Sequence, residues 1–458
     1  MDLLSLAKEE LIRMIYLQQD TIKALEAQII ELRARLNSKD NQQDKKTIPP
    51  FFKPSVKTKN KQEKKKRSEN YARKRDIPTN TVFHSFELCP SCGSKNLGTP
   101  SVCYRRQIID IPISSKIITE NVVFKRLCFS CGKRSFPKPN LSTHTLGKRR
   151  IGINLMALIA LMRQEEDMTL PKIQNHLKTF YDLCLSEGEL VSLLHQTASF
   201  GEKEYEEIKK HIRAASVVYA DETGHRENGK NGYTWSFSNK TDQLLLYRKS
   251  RASIIVREVL GEDGSDFNGV LVSDFYSSYN EHKGFHQRCW VHYLGDLDEL
   301  CQTYPDDLLV KKWAEDIRKL YEKAVSYTGP PGIITKPYIK EQIREHKEQE
   351  FKEELTRICR PYIFKESKVS ALAARGLKYV SELFTFVRFE GVNSHNNAAE
   401  QAVRKSVIQR KISGGTRSPK GSHTREILGS LFGTWKLRNL NPFEQTKLLL
   451  LNASCQKV

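Results

Sequence analysis

Residues 4 to 36 place apolar side chains at alternating spacings of three and four. Ile15, Ile22, Ile29 and Leu36 form one row and Leu4, Leu11, Leu25 and Leu32 the other, with Lys8 and Gln18 interrupting the seam. A stripe that narrow, flanked by charge, predicts a self-associating coiled-coil helix over 1–37. The apolar pattern then stops. Lys53 to Arg75 holds eleven Lys or Arg and two Glu, so 38–82 reads as a basic linker with almost nothing to bury. Alternation returns at 101–111 and 116–127, two expected strands joined at Pro112 and Ser114. "GINLMALIALMRQ", "TLPKIQNHLKTF" and "SEGELVSLLHQTASF" are helical in period, and Ser186 and Glu189 have capping-box spacing at the start of the third. Three short helices with a tight turn before the last predict a helix-turn-helix-like domain over 150–212, a pattern that small helical bundles share.

From residue 215 the period shortens. "ASVVYADETG" is an apolar, β-branched strand ending in Asp221 and Glu222. "GYTWSFSN" and "QLLLYRKS" complete a three-strand meander, and "ASIIVREVLG" reads as a helix. "FNGVLVSDFYSSYN" is a second apolar strand and ends in Asp274, and "FHQRCWVHYLGDLDEL" passes from a short strand into a helix. A charged helical stretch follows to about 390 and reads as an inserted subdomain. The whole is a multidomain α+β chain.

Composition narrows the partners. The 458 residues are 38% hydrophobic and carry a formal charge of +21, from 75 Lys plus Arg against 54 Asp plus Glu. Such an excess favours a polyanion, either nucleic acid or an acidic membrane surface. No apolar run reaches the ~18 residues of a membrane span, and the acidic, amphipathic start "MDLLSLAKEELIRMI" differs from a secretory signal. The expectation is a soluble intracellular protein. Of ten cysteines, four form two C-x-x-C pairs, Cys89 with Cys92 and Cys128 with Cys131, followed by Gly93 and Gly132. Two such knuckles brought together by the strands between them predict a zinc ribbon over 83–140 with one structural Zn²⁺.

Asp221 and Asp274 each stand where an apolar strand emerges. If those strands lie side by side, two like charges meet at a distance that divalent cations must neutralise. Two Mg²⁺ between such carboxylates suit in-line displacement at a phosphodiester. Asp at a strand end also caps turns. A third acidic ligand is open to Asp296, Asp298 or the distant Glu400. Asn397 and Glu400 themselves have capping-box spacing, so Glu400 has a second use at its own helix end.

"YADETGHRENGKNGYTW", "LVSDFYSSYN", "RCWVH" and "NNAAEQAVRKSVIQRKISGG" resemble the large transposase of the insertion-sequence-66 family of bacterial mobile elements. The order of parts along nearly the whole chain is similar too. The resemblance implies a ribonuclease-H-like catalytic core in two parts, 213–302 and 393–415, around a helical insertion at 303–392, with a basic helical segment at 416–458. It implies an Asp–Asp–Glu site of Asp221, Asp274 and Glu400 holding Mg²⁺ or Mn²⁺. The implied reaction frees a 3′-hydroxyl at the element end, which then attacks a phosphodiester of target DNA in a direct transesterification, the target's 3′-oxygen leaving. Cys289 and His292 of "CWVH" are implied to have a structural or substrate-positioning role. His225 stands where family members often have Trp, and His395 where they have Asp.

The implied partners are double-stranded DNA (element ends and target), a second copy through the N-terminal helix, and companion proteins of the same element. The implied location is the bacterial cytoplasm, at the nucleoid. Arg404, Lys405, Arg410, Lys411 and Arg417 suit the DNA backbone, although a solvated basic helix face has the same composition. Two other readings fit the parts: a DNA-binding regulator with an inactive nuclease-like domain, and a Mg²⁺-dependent nuclease without strand transfer.

Overall fold

The computed structural model describes residues 77–455 except 79, 86, 109–115, 132–133, 138–139, 147–149, 262–266, 333–335 and 364–366. The expected coiled-coil helix at 1–37 and nearly all of the basic linker lie outside these residues. The chain divides into two units, Met1–Asp110 and Ile111–Val458. Among the described residues no helix is long and apolar enough to cross a membrane.

In the first unit Cys89 and Cys92 bracket a tight turn. The Gly93 N–H donates to the Cys89 carbonyl at 2.8 Å and the Cys89 N–H to the Ser94 carbonyl at 2.9 Å. Gly93 has φ +70°, which glycine adopts without strain. In the second unit Cys128 and Cys131 lie in the turn between β1 (Arg126–Leu127) and β2 (Arg134–Ser135). The longer strands expected at 101–111 and 116–127 are not formed among the described residues, apart from β1. Tyr104, Ile117 and Phe124 in these segments are exposed, so no core rewards backbone pairing there.

The rest of the second unit is built on one sheet. Its strands are β3 (Val217–Glu227), β4 (Lys230–Ser238), β5 (Gln243–Arg248), β6 (Val270–Ser273) and β7 (Phe285–Arg288), in the order β5-β4-β3-β6-β7. The first three form the expected antiparallel meander, and β6 and β7 run parallel to β3. Helices α1 (Ile153–Gln164), α2 (Leu170–Tyr181) and α3 (Glu187–Arg213) precede the sheet, and α4 (Ile254–Leu260) follows the meander. The Ser186 hydroxyl caps α3 by accepting from the Glu189 N–H at 3.1 Å. The helix runs on to Arg213, well past the short element expected, because Tyr205, Ile208 and Ile212 continue its apolar stripe.

Helices α1 to α3 share one core with the sheet. Met156, Ile173, Leu193 and Tyr205 pack in the same cluster as Val218, Trp235 and Leu244. The expected domain at 150–212 is therefore a layer over the sheet and has no core of its own. The C-terminal segment is a second part of that layer: α12 (Pro419–Leu437) contributes Leu431 and Trp435, and α13 (Pro442–Cys455) contributes Leu450.

Helix α12 also closes the sheet edge at β5. The backbone N–H groups of Gln243, Leu245 and Tyr247 point outward from the edge strand. Thr434 Oγ1 accepts the first at 3.0 Å, Ser430 Oγ the second at 2.8 Å, and a Glu426 carboxylate oxygen the third. Three acceptors one helical turn apart thus match alternate residues of a strand and satisfy donors that would otherwise be buried unpaired. Gly433 and Gly429 let the helix approach, since a Cβ at either would meet Gln243 or Leu245.

The charged stretch after β7 forms α5 (Trp290–Thr303), α6 (Leu308–Val325), α7 (Pro337–Cys359), α8 (Ser370–Lys378), α9 (Val380–Leu383) and α10 (Thr385–Arg388). These helices enclose their own core of Trp290, Tyr293, Trp313, Ile317, Phe351 and Phe384. Trp290 and Tyr293 belong to it, so the insertion begins at α5, earlier than the expected boundary at 303. The chain then returns as α11 (Asn397–Ser413), laid against β3 and β4.

Candidate active site

The parallel register fixes the first two carboxylates. Val217 pairs with Val270, Val218 with Leu271 and Tyr219 with Val272. Carrying that register on by two residues brings Asp221 abreast of Asp274. Side chains alternate along a strand, so Asp221 shares the sheet face of Tyr219, and Glu222 faces the other way. On the Tyr219 face a small cluster of Val270, Val272, Val392 and Ala399 packs together with Tyr219. Ala399 belongs to the first turn of α11, and the next residue is Glu400.

Main-chain contacts hold α11 at that place. The Asn396 side-chain amide donates to the Ala220 carbonyl at 2.8 Å, beside Asp221. The Asn396 N–H donates to Cys289 Sγ at 3.2 Å, and the Trp290 N–H to the Ser394 carbonyl at 2.9 Å. Asn396 is the N-cap residue, and its side chain makes no cap hydrogen bond. The Asn397–Glu400 capping box is not formed: Asn397 is already the first helical residue. The Glu400 carboxylate is 45% exposed and faces His292, Oε1 to Nε2 3.9 Å.

Electrostatics register the convergence. Burial first, then the neighbouring charges of Glu222, Asp274 and Glu400, push the Asp221 carboxyl up to about 7. The Asp274 carboxylate accepts from the Tyr276 N–H at 2.9 Å. On the opposite face Glu222 is buried, where it accepts from the Tyr279 hydroxyl and pairs with Arg251. The two nearby alternatives for a third ligand are engaged elsewhere: Asp296 pairs with Arg375 and Asp298 with Arg318, the latter at 2.6 Å.

Three residues beside the carboxylates carried weak signals in the sequence. Arg288, fully buried, donates to the Asp274 carbonyl at 2.8 Å, to Asn280 Oδ1 at 2.5 Å and to Glu382 at 2.6 Å. It ties the Asp274 loop to the insertion, and only its place in "RCWVH" set it apart. Cys289 and His292 stand one turn apart at the start of α5. With Glu400 they bring a sulfur, an imidazole nitrogen and a carboxylate oxygen within 4.8 Å of one another. A hydrogen bond to Cys289, helped by Asp274 and Glu400, pushes His292 up to about 9 against the opposing effect of burial.

The five basic residues separate into two groups. Arg404, Lys411 and Arg417 are exposed. Lys405 pairs with Asp167 at 3.1 Å and donates to the Glu165 carbonyl, and Arg410 donates to the Gly224 carbonyl at 2.7 Å. His225 is buried, edge-on to Tyr247 with ring centroids 4.8 Å apart, and 3.1 Å from Thr416 Oγ1. A buried ring is thus kept at the position where the resemblance implies Trp. His395 lies partly buried with its Nδ1 unpaired; nothing else in the structure explains it.

An uncharacterized protein of Sinorhizobium fredii (strain NBRC 101917 / NGR234), y4jO, is 27% identical over 175 residues, which is 38% of this chain and 49% of that protein. The chain thus spans about half the length of this relative. The family model described as "Transposase IS66 family" matches residues 148–424, a span that includes Asp221, Asp274 and Glu400. By that match, over more than half of its length, the chain belongs to the IS66 family of transposases.

Proposed function

We propose that the protein is the DNA transposase of a bacterial insertion element, binding element ends and carrying out metal-dependent phosphodiester cleavage and strand transfer. The observation that carries this reading is the convergence of Asp221, Asp274 and Glu400 on one sheet face, in a chain of this family. The sheet order, three antiparallel strands followed by two parallel ones, supports a ribonuclease-H-like core.

The donor set fits hard divalent cations. Three carboxylates converge, and burial with like-charge crowding raises Asp221 far enough to hold a proton near neutrality. Mg²⁺ or Mn²⁺ suits all-oxygen donors, and such ions, when bound by these three residues, supply Lewis acidity and charge stabilisation at a scissile phosphate. The chain's own part is positional. Sheet register sets Asp221 against Asp274, and Asn396 anchors the helix that offers Glu400. Arg288 steadies the loop that carries Asp274. Glu400 stands in the first turn of α11, at the positive end of the helix dipole. Exposed Arg404, Lys411 and Arg417 supply cations for the DNA backbone.

Each C-x-x-C turn by itself supports a pair of thiolate ligands, Cys89 with Cys92 and Cys128 with Cys131, for the structural Zn²⁺ that the spacing predicts. Backbone N–H groups lower the thiol pKa of Cys89 and Cys128, which suits thiolate ligands. Self-association through the N-terminal helix and a cytoplasmic, nucleoid-associated location complete the reading.

The test uses purified protein, Mg²⁺ and the element's terminal DNA. Asp221→Asn, Asp274→Asn and Glu400→Gln are each expected to lower cleavage by more than about a hundredfold, beyond what is lost with residues behind metal ligands, while DNA binding stays near the parent's. Cleavage retained by Glu400→Gln would remove Glu400 from the site. Cleavage by the parent without joining identifies a nuclease, and tight binding without cleavage a regulator.

A further inference from the structure

Cys289, His292 and Glu400 form a donor set unlike the all-carboxylate one beside it. We infer that these three residues bind a thiophilic divalent ion of the zinc type, and that an ion held there takes Glu400 away from Asp221 and Asp274. The binding half stands on the three donors. The inhibitory half rests on the reading of Glu400 as a ligand of the catalytic ions.

The geometry is pre-arranged by the backbone. Cys289 is the N-cap residue of α5 and His292 lies in its first turn, so the helix start brings both to one place. Glu400 comes from α11, whose N-cap residue Asn396 donates its N–H to Cys289 Sγ at 3.2 Å. A single contact thus ties the sulfur to the helix that carries the carboxylate. Such N–H donors behind a thiolate ligand are typical of metal sites. The three donor atoms lie within 4.8 Å of one another, and tetrahedral zinc, with bonds of about 2.0–2.3 Å, asks them to close by about 1 Å. His292 and Glu400 are each 45% exposed, which leaves an approach from solvent, while Cys289 is buried.

Chemistry separates the two sites. A thiolate and an imidazole favour zinc over magnesium, which prefers oxygen donors in octahedral array. Three protein donors also leave zinc a fourth position for water or a phosphate oxygen. Glu400 serves both donor sets, and its single carboxylate makes them competitors.

Co²⁺, as a spectroscopic stand-in for Zn²⁺, is titrated into the full chain and into Cys289→Ser and His292→Asn. The paired cysteines at 89, 92, 128 and 131 are common to all three proteins, so their absorption cancels in the differences. The parent is expected to show an additional thiolate-to-cobalt charge-transfer band, absent from Cys289→Ser. His292→Asn, altered at a half-exposed residue and so free of the folding risk at buried Cys289, is expected to weaken that band's affinity at least about tenfold. In parallel, each protein's Mg²⁺-supported cleavage is measured with and without Zn²⁺ relative to its own zinc-free rate. Zn²⁺ is expected to inhibit the parent at least about tenfold more strongly than His292→Asn. Identical cobalt spectra in all three proteins would overturn the site. Binding at the site without inhibition would uphold it and overturn the assignment of Glu400 to catalysis.

Discussion

Asp221 and Glu222 are neighbours in sequence with the same chemistry and opposite surroundings. Strand alternation sends Asp221 to the face shared with Asp274 and Glu400, and Glu222 to the face where Arg251 and Tyr279 satisfy it. The alternation was legible in the sequence, but which carboxylate met which partners depended on β6 and α11, far away in the chain. Burial of Asp221, together with the neighbouring carboxylates, gives a testable pH dependence. Asp221 titrates at about 7 in the fold against 3.8 for an ordinary aspartate. Between those values the folded chain holds a proton that the unfolded chain has released, so stability falls as pH rises through that window. In magnesium-free buffer Asp221→Asn is expected to be more stable than the parent above the folded value, by on the order of 1–2 kcal/mol. The gain should vanish below about pH 3, where both states carry the proton. Thermal unfolding across pH checks it, and a parent that stays as stable as the variant at about pH 8 would overturn the raised titration of Asp221.

Element by element, the meander, α4, β6 and the helical insertion were legible because their periods of 2 and 3.6 are strong. Where elements stopped was less legible. Helix α3 outran its expected end, and the insertion began at Trp290, because buried contacts with distant elements decide how far a helix continues. The role of α12 was hidden for the same reason. Glu426, Ser430 and Thr434 look like ordinary polar positions, yet they lie along β5 and accept its outward N–H groups. Ser430→Ala is expected to leave the buried Leu245 N–H unpaired at a cost of about 1–3 kcal/mol. In urea the unfolding midpoint should fall with little change in slope. An unchanged midpoint would mean that the edge strand finds another acceptor.

At the scale of the molecule, the charge of +21 is used in more than one way. Lys405 and Arg410 are committed to contacts within the fold, whereas Arg404, Lys411 and Arg417 remain exposed on and just after α11. If the exposed three meet DNA phosphates, each alanine variant should lower the slope of log affinity against log salt by about 0.9. Arg410→Ala should leave that slope unchanged and weaken the fold instead. Binding measured across a salt series distinguishes them; equal slopes for Arg404→Ala, Lys411→Ala, Arg417→Ala and the parent would take these cations out of the interface.

Sequence by itself determined the strands that carry Asp221 and Asp274, the two C-x-x-C turns, the helical insertion and the family resemblance, because each rests on local period or close spacing. The placement of Glu400 near Asp221, with Asp296 and Asp298 paired elsewhere, was not local. Tertiary structure engaged the two aspartates with Arg375 and Arg318, and Asn396, bonded to Ala220 and Cys289, set α11 over the Asp221 face. The pairing of Asp221 with Asp274, the direction of Glu222, and the meeting of Cys289, His292 and Glu400 were decided the same way. Register between parallel strands and contacts between elements far apart in the chain are long-range terms, and no window of sequence contains both partners.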